Sequence, residues 1–83
     1  MRMERFVGSQ ELFFTEENNT ELVTKDFLKM IEVHFFKDCH VKINNSSWIF
    51  KRANEIMRID SVLICSFKIK ESNTELTWWG IEN

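Results

Sequence analysis

Proline is absent from these 83 residues, and glycine occurs only as Gly8 and Gly80. Glycine-rich backbone is what lets a chain cradle phosphates or present a nucleophile on a sharp elbow. A Gly-rich phosphate loop, a Walker sequence and a G-x-S-x-G elbow are therefore excluded here. Where the chain turns without glycine, residues that tolerate left-handed backbone must take its place, and Asn44-Asn45-Ser46-Ser47 is such a stretch.

A chain this short buries enough apolar surface for one core, so residues 1–83 are expected to form a single domain. Its 43% hydrophobic and 29% charged content is that of an ordinary globular protein. Eight Phe and three Trp are expected to supply most of the core volume. Burying each contributes roughly 2–3 kcal/mol of transfer free energy, so no metal or disulfide staple is required. The longest apolar runs, such as Val62-Leu63-Ile64-Cys65, fall far short of the ~20 residues that span a bilayer. The first residues lack an apolar stretch long enough for a secretory signal, and two cysteines are too few for a disulfide framework. A cytoplasmic location with reduced thiols is expected. The residues with AT-rich codons total 34 against 7 for those with GC-rich codons, a bias that suits an accessory gene of a phage or mobile element.

No repeat, linker or low-complexity tract divides the chain. Arg5-Phe6-Val7 and Glu11 to Thr15 suggest short strands around a turn at Gly8. From Thr24 to about Phe36, the residues Phe27, Met30, Ile31, His34 and Phe35 recur at the spacing of a helix face, which predicts the main helix. His40 to Ile43 and Trp48 to Lys51 flank the Asn-rich turn as a hairpin. Residues 52–59 fit either a short helix or a strand. Ser61 to Lys70 alternates, with Leu63, Cys65, Phe67 and Ile69 on one face. Glu75 to Gly80 reads as the last strand. The fold expected is α+β: a small antiparallel sheet of four or five strands covered on one face by one main α-helix.

Charge is unevenly distributed. Residues 1–38, 40–70 and 71–83 sum to −3, +4 and −3. Alternation puts Lys42, Lys68 and Lys70 on the sheet face away from the helix, and Lys51 with Trp48 or Trp79 completes the candidate set. Cations that neutralise phosphates beside rings that stack on bases are how some sheets hold single-stranded nucleic acid. A solvated strand face beside acidic loops accounts for the same lysines, and an overall charge of −2 is weak basicity for a nucleic-acid binder.

The possible soft metal ligands are His34, Cys39, His40 and Cys65, which lack the short paired spacings of zinc sites. Adjacent Cys39 and His40 on a strand would point to opposite faces, a poor arrangement for a thiol and its base. Glu16, Glu17 and Glu21 lie in a polar stretch with nothing apolar to raise a pKa. Catalytic, cofactor and metal sites are accordingly not assigned. Trp78-Trp79 should place one indole inward and the next outward, and an exposed Trp is enriched at interfaces. These residues point to a non-enzymatic module, an accessory or inhibitor protein that binds and regulates a protein partner. The candidate surface is Lys42, Lys51, Lys68, Lys70 and Trp79. RNA or single-stranded DNA on the basic face is the alternative, and a homo-oligomer is left open.

Overall fold

In a computed structural model, which describes residues 4–9 and 11–83, the chain is all-β, with no helix among the described residues. The strands are β1 (Phe6–Gly8), β2 (Phe13–Phe14), β3 (Thr20–Glu21), β4 (Leu28–Phe35), β5 (Cys39–Ile43), β6 (Ile49–Lys51), β7 (Ile56–Ile59), β8 (Phe67–Ile69) and β9 (Glu75–Glu82). They form a five-stranded sheet ordered β1-β9-β4-β7, with β2 also paired to β9, and a four-stranded sheet ordered β3-β8-β5-β6. Every pairing is antiparallel. The helix expected to cover a single sheet is replaced by a second sheet.

The segment expected to be that helix is β4, hydrogen-bonded to β9 on one side and β7 on the other. Its apolar residues satisfy two periods at once. Ile31, Val33 and Phe35 alternate into the core and are each fully buried, whereas Phe27 stays about half exposed. His34 points to the opposite face, half buried, and its ring lies 4.3 Å from that of Phe36. The supposed helical stripe is thus split across both faces of a central strand. Two flanking strands satisfy every backbone group of such a strand, and β-branched Ile31 and Val33 favour it.

The hairpin forms with the anticipated turn, pairing His40 with Phe50 and Val41 with Ile49. The ambiguous stretch resolves as strand β7. The alternating stretch from Ser61 is strand only over Phe67–Ile69. Before it, Leu63 and Cys65 are exposed, while Ile64 is buried and bridges Leu28. The inward face expected for Leu63 and Cys65 is therefore corrected.

One apolar cluster joins the sheets, with Ile31, Val33, Phe35 and Leu76 from one and Cys39, Val41, Phe67 and Ile69 from the other. Asparagines replace the missing turn glycines. Asn19, Asn44, Asn54 and Asn73 have φ of 59°, 51°, 71° and 57°, each in a connection between strands. Both glycines serve close approach instead. At Gly80 a Cβ would come within 2.7 Å of the Met30 carbonyl oxygen. At Gly8, where φ is 143°, it would collide with the Trp78 carbonyl. Among the described residues no helix is long and apolar enough to cross a membrane.

Candidate functional site

Alternation and register together decide what each sheet shows outside. Residues directly opposite in an antiparallel pair point to the same face. On the four-stranded sheet, Cys39 and Val41 point inward, so His40 and Lys42 point outward. Lys42 stands opposite Lys68. Phe50 stands opposite His40, with ring centroids 5.2 Å apart. Lys70, beyond the end of β8, lies beside His40, whose carbonyl accepts its amide at 2.9 Å. Trp48 completes the face, with the Lys42 and Lys70 ammonium groups 5.6 and 5.7 Å from its ring centroid. At that distance both cations are attracted to the ring.

Three of the basic candidates are thus gathered, and two candidates are not. Lys51 stands opposite inward-facing Cys39, so it lies on the other side of the sheet at its edge, 3.5 Å from Glu55. Trp79 belongs to the five-stranded sheet. There Trp78 packs half-buried against the core and Trp79 points outward, 38% exposed. The Trp79 indole N–H donates to Glu32 Oε2 at 2.6 Å, and Phe6 lies against its ring at 5.9 Å between centroids. The same outer face carries Phe14 opposite Glu75 and Ile56 opposite His34, with Phe6 and Ile56 each more than 60% exposed.

Several positioning residues carried no recognisable sequence signal. Glu21, expected in a loop, is a half-buried clamp that accepts from the amides of Val23 and Phe67 and from the Ser66 hydroxyl. Asn44 pins the segment before β8, its Oδ1 accepting from the Cys65 and Ser66 amides and its Nδ2 donating to the Leu63 carbonyl. Glu71 accepts from the His40 amide at 2.8 Å and lies 2.5 Å from His40 Nδ1. Partial burial pulls the Glu71 carboxyl upward, but the hydrogen bonds and charge of His40, with help from its own backbone, hold it below its ordinary value. Thr15 links the first strands to this corner, accepting from the Thr74 amide and donating to the Glu71 carbonyl.

The candidate metal ligands are dispersed over separate faces, and no three His, Cys, Asp or Glu converge on a metal position among the described residues. Burial, with Glu71, Asp38 and Glu55 adding their charge, pushes the Cys39 thiol up to about 12, so it stays protonated at neutral pH. Of the surface recesses, one of about 400 Å³ is lined by Phe13, Phe14, Glu16, Glu17 and Thr20 among others. Another, of about 180 Å³, is lined by residues including Val7, Leu22, Leu28 and Trp78. Neither contains a histidine or cysteine. No protein-family model, curated protein or solved structure matches the chain, so the two outer faces are what its function must be argued from.

Proposed function

We propose that this chain is a non-enzymatic interaction module that docks a protein partner on the outer face of its five-stranded sheet. The observation that carries the reading is the Phe6–Trp79 pair, 5.9 Å apart, with Phe6 64% exposed. Large exposed rings set close together are costly to leave in water and are the residue types that anchor protein interfaces. The Glu32 hydrogen bond fixes the Trp79 indole before binding, which lowers the entropy lost on docking. Around the rings, Glu32, Glu75 and the Arg58–Asp60 pair mix both signs of charge. That rim suits a protein surface better than a polyanion.

By occupying its partner's surface the module would act as an accessory or inhibitor protein. Two free cysteines, one buried and one exposed, suit a reducing cytoplasmic setting.

The test is affinity capture from a nuclease-treated lysate of the source organism, with wild type, the double variant Phe6→Ala/Trp79→Ala, and Lys68→Ala/Lys70→Ala in parallel. The reading expects a protein retained by wild type and by the lysine variant but lost from the aromatic variant. Equal retention by all three, or retention of nothing, would overturn it.

A further inference from the structure

We propose that the opposite face of the molecule, the outer face of the four-stranded sheet, binds single-stranded nucleic acid. Register and alternation set six side chains there in two rows across the strands: Lys70, His40 and Phe50, then Lys68, Lys42 and Trp48. Adjacent strands lie about 4.8 Å apart and alternate residues about 7 Å apart, so the cations and rings fall within one small patch.

The lysines of this patch outnumber the two carboxylates on it, Glu21 opposite Lys68 and Glu71 beside His40, and leave it net positive. None of Lys42, Lys68 and Lys70 makes an ion pair among the described residues. The two carboxylates on this face hydrogen-bond other groups. Glu21, opposite Lys68, is held by the Val23 and Phe67 amides and the Ser66 hydroxyl, and Glu71 is held by His40. Lys42 and Lys70 lie 5.6 and 5.7 Å from the Trp48 ring centroid, so one indole anchors two cations of this face. An anion on this face is attracted to both.

The rings decide which anion. Phe50 is half exposed beside His40, so a planar group can stack on it while the lysines take the neighbouring phosphates. A duplex hides its bases from such a platform, and among the described residues this face carries no helix that could enter a groove. Single-stranded RNA or DNA presents both groups together. This surface is separate from the one assigned to a protein partner, and either can fail without the other.

The test is fluorescence anisotropy of a labelled ten-nucleotide RNA and its DNA counterpart, of mixed sequence, at 50 and 200 mM salt. Three phosphate contacts at a slope of about 0.7 each predict roughly a 20-fold loss of affinity over that range. Lys68→Ala/Lys70→Ala should weaken binding at 50 mM and reduce the salt effect to about threefold. Phe50→Ala should weaken binding on the order of tenfold while leaving the salt effect unchanged, as a lost stacking contact does. Phe6→Ala/Trp79→Ala, on the far face, should bind like wild type. No binding at 50 mM would overturn the proposal. So would tighter binding of a duplex of the same length, or equal competition by polyglutamate, which would point to an acidic protein instead.

Discussion

On the five-stranded sheet the outward positions hold Phe6, Phe14, Trp79 and Ile56, whereas on the four-stranded sheet they hold His40, Lys42, Lys68 and Lys70. Both sets follow from the same alternation over one shared core. The difference comes from which parts of the chain each sheet recruits. The basic middle of the sequence supplies β5, β6 and β8, three of the four strands in one sheet. The acidic ends supply β1, β2, β4 and β9, four of the five in the other. An asymmetry that is linear in the sequence thus becomes an asymmetry between opposite surfaces. A net charge of −2 conceals it.

The comparison breaks most completely if the core between the faces is removed. Ile31→Ala should cost about 2–5 kcal/mol and Phe35→Ala about 3–5 kcal/mol in urea unfolding, because both side chains are fully buried. Phe27→Ala, on a residue about half exposed, should cost less than about 1 kcal/mol. A helix with Phe27 and Ile31 on one buried stripe would make the two losses comparable.

A smaller effect is expected at the hinge of the basic face. Asn44→Ala puts alanine at a φ of 51° and leaves the Cys65 and Ser66 amides without their acceptor. The expected loss is about 1–3 kcal/mol, mostly from the abandoned donors. Asn44→Gly should recover only the backbone part, and full recovery would show that the clamp contributes nothing.

The faces also differ in their response to acid. Glu71 sits below its ordinary value of 4.5 in the folded protein, so its contribution to stability is complete above that pH. It is lost as pH falls through the lowered folded-state value, and Glu71→Gln should flatten that part of the acid limb. Phe6→Ala, on the other face and bonded to no titrating group, should leave its shape unchanged. An unaltered limb in Glu71→Gln would show that the His40 contact does not matter to folding.

Cysteine labelling sharpens the inside and outside of the second sheet without changing stability. Iodoacetamide at neutral pH should modify exposed Cys65 and spare Cys39, whose buried thiol is pushed up to about 12. Mass spectrometry that found both labelled in native protein would contradict the placement of β5.

Much of the basic face was legible because strand alternation is local. Lys42, Lys68 and Lys70 could be assigned to a face from Val41, Phe67 and Ile69 alone. Lys51 could not, because its face depends on pairing with Cys39, and that register is set by the length of the turn. Trp79 was recognisable as the outward indole, but which sheet it joined depends on partners distant in sequence. The misread helix has a similar cause. Ile31, Val33 and Phe35 alternate, but Leu28 and Met30 on either side of the register shift are buried too, and together these residues also match a helical stripe. The choice is made by β7 and β9, which lie far along the chain. Glu21 and Asn44 were missed because their role is to accept amides from a segment about 20 to 45 residues away.

The two-sheet fold depends on β4 being a central strand, and backbone NMR tests that most directly. The account predicts cross-strand NOEs tying Ile31 to both Ile59 and Gly80, and Glu32 to both Arg58 and Trp79, with slowly exchanging amides through β4. Sequential i,i+3 contacts running from Lys25 to Phe35, with no contact to β7 or β9, would contradict it.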